Sequence, residues 1–245
     1  MCIRDRLEIV LFPCLSDNYG FLVHDPKTGA TAAIDTPDAK EIAKQCEMRG
    51  WQLSEIWNTH WHPDHTGGNT ALKRRYKATI RAPHREAGEI SGVDLVASDG
   101  DKFEFAGHDV QVFHTPGHTN EHVVYYIPSA KSAFVGDTIF ALGCGRLFEG
   151  TAEQMWDSLS KIMTLPDDTA LYCAHEYTLS NAKFALSVEP NNQDLLAAIE
   201  EAKAKRASNI PTVPTHVAKE RLTNPFITAG NSQELGRRRT LKDNF

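Results

Sequence analysis

Residues 59–65, THWHPDH, place three histidines and one aspartate within seven positions. In an extended chain, side chains at i and i+2 point the same way, so His60 and His62 should project together. A proline then turns the chain, and Asp64 and His65 should follow at the start of a helix. Imidazole and carboxylate groups suit a borderline cation such as zinc without any thiolate. Because the two pairs face different ways, the segment predicts ligands for two metal ions.

Two ions need further ligands, and polar residues that follow later apolar runs are candidates. His118 lies on a Pro-Gly turn, Asp137 follows the apolar run of FVGDT, and His175 ends the run of LYCAH. Strand ends hold side chains rigidly, as a metal site requires. A single histidine at a strand end is, however, more often a hydrogen-bonded structural residue than a ligand. His114 and His122 flank His118, and spacing alone does not choose among these three.

Short apolar, β-branched runs bounded by turn residues predict strands through most of the first 175 residues. The predicted strands cover 7–13, 19–25, 31–36, 54–59, 78–81, 103–105, 110–114, 123–127, 133–135 and 169–175. Residues 38–49 predict a helix that Thr36 caps, Pro37 opens and Gly50 ends. The candidate ligands therefore follow buried strands, with helices interspersed.

After residue 150 the sequence becomes predominantly helical. TAEQ at 151–154 has the Thr-x-x-Gln pattern of a capping box, and helical periodicity follows it. Helices are also predicted in 176–188, 192–208 and 232–245, and the Pro-rich stretch 209–220 is predicted to connect the last two. Strands with interspersed helices thus occupy 7–175, and a helical appendage occupies 176–245. Residues 1–6, MCIRDR, are predicted to be extraneous or disordered.

The composition excludes several classes of protein. The chain of 245 residues carries a net charge of −6 and has no long basic run, so nucleic acid is not an expected partner. No apolar run approaches the roughly 20 residues that span a bilayer, and no secretory signal is evident. Its five cysteines include no CxxC pair, which argues against a disulfide framework and favours a reducing cytoplasm.

Several motifs together resemble a known family. THWHPDH, TPGHT, GDT and CAHEYT follow one another as in the metallo-β-lactamase superfamily, and the resemblance extends from Leu7 to the end of the chain. FPCLSDNYGFLV, GCGRLFEGT, HEYT and RTLKDNF resemble the glyoxalase II subfamily, the hydroxyacylglutathione hydrolases. The resemblance implies an α/β fold: an αββα sandwich over 7–175 that carries the catalytic site. A helical substrate-binding domain over 176–245 would follow it.

The resemblance also implies a binuclear metal site and assigns its ligands. His60, His62 and His118 would hold the first ion, Asp64, His65 and His175 the second, and Asp137 would bridge the two. Asp64 and Asp137 would be the catalytic carboxylates, acting on a hydroxide that the two ions hold. Zinc is the expected metal, although the same nitrogen and oxygen ligands also accept iron or manganese.

Substrate contacts carry over from the same family onto five positions, Arg146, Phe148, Tyr177, Arg239 and Lys242. Glutathione carries two carboxylates, so cationic side chains near the site are chemically reasonable. Without the resemblance, the RRR run at 237–239 would read as a solvated basic face. Arg146 replaces the more usual lysine, which keeps the charge and changes its geometry. Phe148 replaces a tyrosine, and losing that hydroxyl should weaken binding by roughly 1 kcal/mol.

The expected reaction is hydrolysis of S-(2-hydroxyacyl)glutathione thioesters, typically S-D-lactoylglutathione, to glutathione and D-lactate in methylglyoxal detoxification. A thiol has a pKa of about 8.5, so the leaving thiolate needs little help from an acid. The nearest alternative is a mononuclear iron dioxygenase acting on glutathione persulfide on the same fold, which generally lacks the helical tail with its R-x-x-K pattern. A lactonase, a β-lactamase or a non-catalytic metal-binding module is a more distant alternative. The expected protein is a cytoplasmic monomer that binds a small molecule and no membrane.

Overall fold

The N-terminal strands form one mixed sheet in the computed structural model, which describes residues 6–84 and 88–245. In the order of the sheet, which is also the order of the chain, the strands are β1 (Glu8–Cys14), β2 (Asn18–His24), β3 (Ala30–Ile34), β4 (Gln52–Trp57), β5 (Thr79–Pro83) and β6 (Leu95–Ala97). The first three pair antiparallel, and β3 to β6 pair parallel. The parallel strands have crossover connections.

Three helices belong to this first part of the chain: α1 (Ala39–Arg49), α2 (Pro63–Thr66) and α3 (Asn69–Tyr76). Apolar side chains of α1 and α3, such as Ile42 and Leu72, pack in one buried cluster with Ile56 and Ile80 of the sheet. The predicted helix 38–49 is therefore confirmed, but its cap is not Thr36. Asp38 caps α1, because its carboxylate accepts from the backbone N–H groups of Lys40 and Glu41.

Three more strands follow β6: β7 (Lys102–Phe105), β8 (His108–His114) and β9 (Val123–Ile127). β7 and β8 form an antiparallel hairpin. The ring of Trp57 meets the rings of Phe103 and Phe105 edge to face, with centroids 5.1 and 5.2 Å away. This aromatic cluster fixes Trp57, the last residue of β4, just before the histidine-rich segment begins.

The described residues fall into two compact units. Unit 1 takes those of Met1–Phe113 and Val123–Ala130, and unit 2 takes those of His114–His122 and Lys131–Phe245. Each unit carries part of the predicted ligand set. The predicted domains 7–175 and 176–245 are a different division of the chain and stay a prediction.

Unit 2 begins with strands and ends with helices. Its strands are β10 (Ser132–Gly136), β11 (Ile139–Phe140), β12 (Gly143–Cys144), β13 (Ala170–Cys173) and β14 (Thr215–His216). Its helices are α4 (Ala152–Ile162), α5 (Thr178–Val188), α6 (Gln193–Ala207), α7 (Val217–Thr223) and α8 (Ser232–Asp243). β13 lies between β10 and β14, and β11 pairs with β12 as a small separate ribbon. The ribbon follows β10 and Asp137 in the chain, and its residues Phe140 and Cys144 line a cleft.

Several predicted elements are confirmed in unit 2, and one is wrong. Thr151 and Gln154 form the reciprocal capping box of α4, and the helices in 176–188, 192–208 and 232–245 are present. The stretch 209–220 is not merely a connector, because it contains β14 and the start of α7. The prediction for 1–6 falls, except for Arg6, outside the described residues. No helix among the described residues combines the length and apolarity that a bilayer crossing requires.

Candidate functional site

The chain leaves β4 through a buried polar segment in unit 1. Asn58, Thr59 and His60 have no exposed surface. Thr59 donates twice to Asp35, from its backbone N–H over 2.7 Å and from its hydroxyl over 2.8 Å. The backbone C=O of Asn58 accepts from the Tyr125 hydroxyl at 2.9 Å. These bonds fix the backbone just before the first candidate ligand.

His60 and His62 project together, as the i, i+2 spacing predicts. Nε2 of His60 and Nδ1 of His62 lie 3.0 Å apart. Two ligands on one tetrahedral zinc, each about 2.0–2.1 Å from the ion, would lie roughly 3.4 Å apart. Nδ1 of His60 lies 3.0 Å from the Thr59 hydroxyl, whose hydrogen is directed to Asp35. Nδ1 therefore donates to Thr59, which leaves the Nε2 lone pair available to a metal.

His65 and Asp64 form the second pair at the start of α2. Nδ1 of the buried His65 donates to Oδ2 of Asp35 at a distance of 2.8 Å, so Nε2 is the ring nitrogen that could bind a metal ion. That nitrogen lies 3.5 Å from Oδ2 of Asp64. The same Asp64 oxygen accepts from the Asn18 amide at 3.0 Å. Both predicted ligands are thus oriented by partners behind them, as metal-binding histidines and carboxylates commonly are.

Asp35 is the main residue that sequence reasoning missed. Its carboxylate joins Thr59 and His65 and so fixes both ligand pairs at once. Its ligand-capable atom lies within 4.8 Å of those of His60 and His65, but the bond to Nδ1 of His65 makes it an orienting group. Asp35 directly follows strand β3, the same signal that singled out Asp137. That signal was available, and it was used only to place a strand.

Asp137 faces two imidazoles in unit 2. Its Oδ2 lies 3.4 Å from Nε2 of His118, and its Oδ1 lies 3.5 Å from Nε2 of His175. All three side chains are buried. Each carboxylate oxygen thus faces one histidine, so Asp137 could be shared by two ions. Carboxylate oxygen and imidazole nitrogen in this pattern fit divalent zinc, iron or manganese.

The three neighbouring histidines of the 114–122 segment have separate roles. His118 faces Asp137, and its Nδ1 donates to the backbone C=O of Arg146 over 2.9 Å. His122 is buried and structural, because its Nε2 accepts from the Asp137 N–H at 3.1 Å. Nε2 of His114 donates to the Asn120 carbonyl over 2.8 Å. The geometry thus supports His118 as the ligand, a choice that spacing left open.

A cleft of about 750 Å³ opens beside Asp137 and His118 in unit 2. All five predicted substrate contacts line it: Arg146, Phe148, Tyr177, Arg239 and Lys242. Other lining residues, which the sequence reasoning did not select, are Phe140, Cys144, Ser180, Asn181, Lys183, Asp243 and Phe245. The cleft therefore combines aromatic walls with four cationic side chains.

The cationic groups of the cleft differ in how they are held. Arg239 is buried and donates to the Cys144 carbonyl and to Asp243, each at a distance of 2.9 Å. Arg146 is exposed, with Nε 3.8 Å from the same Asp243. Nζ of Lys242 lies 5.4 Å from the centre of the Phe184 ring. Burial and the nearby guanidinium groups lower the pKa of Lys242 to about 8. Burial is the larger cause of this lowered pKa, and the part due to Arg239 and Arg146 reflects a positive potential that favours an anionic ligand.

The aromatic residues of the cleft lie against the metal-ligand candidates. Phe148 is 61% exposed and meets the His118 ring edge to face, with centroids 5.3 Å apart. Tyr177 stacks on His175 with centroids 4.7 Å apart. Gly145 lets its own segment pass close to Asp137, since a Cβ at residue 145 would overlap the backbone oxygen of Asp137. The cleft and the ligands of unit 2 are therefore one continuous surface.

Comparisons with known proteins agree with this geometry. The family model for the metallo-β-lactamase superfamily matches residues 28–175, and that for the hydroxyacylglutathione hydrolase C-terminus matches 176–245. The chain is 54% identical over 223 residues to a hydroxyacylglutathione hydrolase of Erythrobacter litoralis, covering 91% of this chain and 88% of the relative. It is 52% identical to that of Maricaulis maris, covering 91% and 87%.

A solved structure shows the same fold at lower sequence identity. ETHE1 from Myxococcus xanthus superposes with a TM-score of 0.72 at 24% identity, over 96% of this chain and 90% of that one. This likeness confirms the predicted class of fold, mixed sheets flanked by helices with a helical C-terminal part. The chain therefore belongs to the metallo-β-lactamase superfamily and, within it, to the hydroxyacylglutathione hydrolases.

Proposed function

We propose that this protein hydrolyses S-(2-hydroxyacyl)glutathione thioesters, typically S-D-lactoylglutathione, to glutathione and a 2-hydroxy acid, the second step of methylglyoxal detoxification. The observation that carries the proposal is the cationic cleft of unit 2, which opens directly onto Asp137 and His118. A substrate with two carboxylates and a thioester suits such a cleft. Relatives named hydroxyacylglutathione hydrolase, about half identical to this chain, support the same reaction.

Seven residues are proposed to hold two divalent metal ions, zinc first and iron or manganese as alternatives. As in the family, His60, His62 and His118 would bind one ion, Asp64, His65 and His175 the other, with Asp137 shared. The orientation of the ligand nitrogens and oxygens within each unit supports this assignment. When bound, such ions supply Lewis acidity and lower the pKa of water to about 7.

The chain's own carboxylates would orient the nucleophilic water. The Asn18 amide donates to the Asp64 carboxylate at 3.0 Å and holds it in place, and this carboxylate would orient the water. Asp137, fixed by its two imidazole neighbours, would act on the same water as the carboxylate shared by the two ions. The leaving thiolate, with a pKa of about 8.5 for the thiol, departs without a dedicated acid.

The cleft would bind the glutathione moiety. Arg146 and Lys242 present cations to the two carboxylates, and Arg239 adds positive charge from behind. Tyr177 offers a hydroxyl and an aromatic face, while Phe148 offers only a face. The net charge of −6 on the whole chain has little effect on ligand binding in the cleft, because salt screens charges beyond about 8 Å.

Two further expectations belong to the same proposal. The four described cysteines are free and buried, which suits a reducing cytoplasm. Each unit carries its own part of the proposed site, and the cleft lies within one chain, so a monomer would suffice.

The decisive experiment follows the thioester absorbance of S-D-lactoylglutathione with purified protein before and after chelation, with metal content measured on the same batch. We expect rapid hydrolysis, loss on chelation, recovery on adding metal, and close to two ions per chain. No turnover by a chain carrying two ions would point to another acyl or lactone substrate. One iron per chain with oxygen uptake on glutathione persulfide would overturn the hydrolase in favour of the dioxygenase.

A further inference from the structure

The loop between β11 and β12 in unit 2 has a constrained backbone. Leu142 adopts a φ of +59°, a left-handed conformation that residues other than glycine keep only where the surroundings hold it. Its amide and the carbonyls around it are bound by side chains of the C-terminal helices. None of those side chains has a role in the proposed function.

Glu220 of α7 is the first of these holding groups. It has no exposed surface, and its Oε2 accepts from the Leu142 N–H at 2.9 Å. Its Oε1 accepts from the Thr215 hydroxyl at 2.6 Å. The donors reach both carboxylate oxygens, so the site calls for a group that accepts at both ends. No cation is among these partners, and burial raises the pKa of Glu220.

Asn224, one turn further along, is the second holding group and is also fully buried. Its amide nitrogen lies 2.9 Å from the Gly143 carbonyl and 3.2 Å from the Phe140 carbonyl. The same nitrogen lies 2.9 Å from Oε2 of Glu220. Together, the two side chains bind the loop at its start, middle and end.

The held loop continues directly into the functional surface of unit 2. Its next carbonyl, that of Cys144, accepts from Arg239, and the carbonyl of Arg146 accepts from Nδ1 of His118, both over 2.9 Å. Between them, Gly145 lies so close to Asp137 that no side chain fits. A shift of the loop would therefore be passed on to the His118 ring and to the floor of the cleft.

We propose that Glu220 and Asn224 are positioning residues: from α7 they fix the loop Phe140–Gly143 and thereby the carbonyls that orient His118 and Arg239. The helical C-terminal part thus contributes to metal binding as well as to the cleft. This inference rests on the proposed function for its effect on the thioester. Its effect on metal affinity can be measured independently.

The test compares Glu220→Ala, Asn224→Ala and Glu220→Gln with the wild type. Zinc affinity is measured by competition with a chromophoric chelator, and KM and kcat with S-D-lactoylglutathione, at a temperature where every variant is folded. We expect both alanine variants to lose roughly tenfold or more in zinc affinity, as losses behind a metal ligand do, and to raise KM several-fold. Glu220→Gln keeps an acceptor for Leu142 and should restore both values to within about threefold of the wild type.

Arg221→Ala is the matched control on the same helix. Arg221 binds Asp167 and the Met163 carbonyl and does not touch the loop. We expect it to lower the melting temperature while leaving zinc affinity and KM unchanged. Losses equal to those of Glu220→Ala would show that α7 acts only through stability and would overturn the proposal.

Other outcomes are equally decisive. Folded alanine variants with wild-type zinc affinity and KM would also overturn the proposal. Should Glu220→Ala fail to fold, Asn224→Ala decides the question, because it removes the donors to the loop and leaves Glu220 in place. If the wild type fails to hydrolyse the thioester, the proposed function fails, and zinc affinity alone still tests the positioning of His118.

Discussion

The histidine-rich segment of unit 1 and the cleft of unit 2 hold their polar groups in opposite ways. In the segment, His60 and His65 are buried, only five positions apart in sequence, and hydrogen-bonded at Nδ1. In the cleft, the cations come from positions as distant as Arg146 and Lys242, and Arg146 is largely exposed. A metal site needs ligand side chains whose orientations are fixed before the ion binds, whereas mobile cationic side chains can still pair with the carboxylates of a substrate. The comparison predicts severe losses in the segment and graded losses in the cleft.

The largest effect is expected from removing a ligand of the segment. His60→Ala should abolish binding of one of the two zinc ions. It should reduce kcat/KM by well over 100-fold, because losing a residue behind a metal ligand already costs roughly 10–100-fold. Metal content and turnover on the same preparation measure this. His114→Ala is the control, since the ring of that histidine donates to the Asn120 carbonyl and is not among the predicted ligands. Full activity without His60 would remove it from the site.

A smaller loss is expected from the group that orients the segment. Asp35→Asn leaves one oxygen to accept where two now serve Thr59 and His65, so the His65 ring loses its fixed orientation. We expect zinc affinity to fall by roughly 10–100-fold, with a matching loss of activity at limiting metal. Excess zinc should partly restore the rate. Undiminished affinity would show that His65 is held by other groups.

In the cleft, removing the charge of Lys242 should raise KM about tenfold, which corresponds to the loss of one charge-assisted hydrogen bond. Because its pKa is lowered to about 8, the lysine is a cation below that pH and neutral above it. KM should therefore rise as pH passes through about 8, with kcat changing less. Lys242→Arg should hold KM low to higher pH, since the guanidinium stays charged. A wild-type KM that is flat from pH 7 to 9 would contradict this role.

The smallest effect concerns a hydroxyl that the cleft lacks. Phe148→Tyr should lower KM by about fivefold, corresponding to one hydrogen bond of about 1 kcal/mol, while kcat stays constant. The residue is exposed beside His118, so the added oxygen meets no buried neighbour. Phe245→Tyr, a similar change elsewhere on the cleft, serves as the control. Unchanged KM in Phe148→Tyr would place the glutathione moiety away from this ring.

The sequence predicted best where local spacing decides the outcome. His60 and His62 converge because alternation in an extended segment is a local rule, and Thr151 caps α4 because its pattern lies within four residues. Asp35 was missed because its role depends on His65, thirty positions away. The prolines in 209–220 led to the prediction of a connector where α7 begins. The roles of the buried Glu220 and Asn224 depend on the loop that they bind, which is distant in sequence. Long-range pairing of this kind leaves no periodic signal.

The tight course of residues 143–145 has a consequence for mutational tolerance. A methyl group at Gly143 would meet the Asn181 amide, and one at Gly145 would overlap the Asp137 backbone. In a saturation library selected for activity, both positions should be as depleted as the ligands, although neither glycine has a side chain to contribute. Intolerance at these positions would therefore record steric clearance, and it should not be taken as a sign of chemistry.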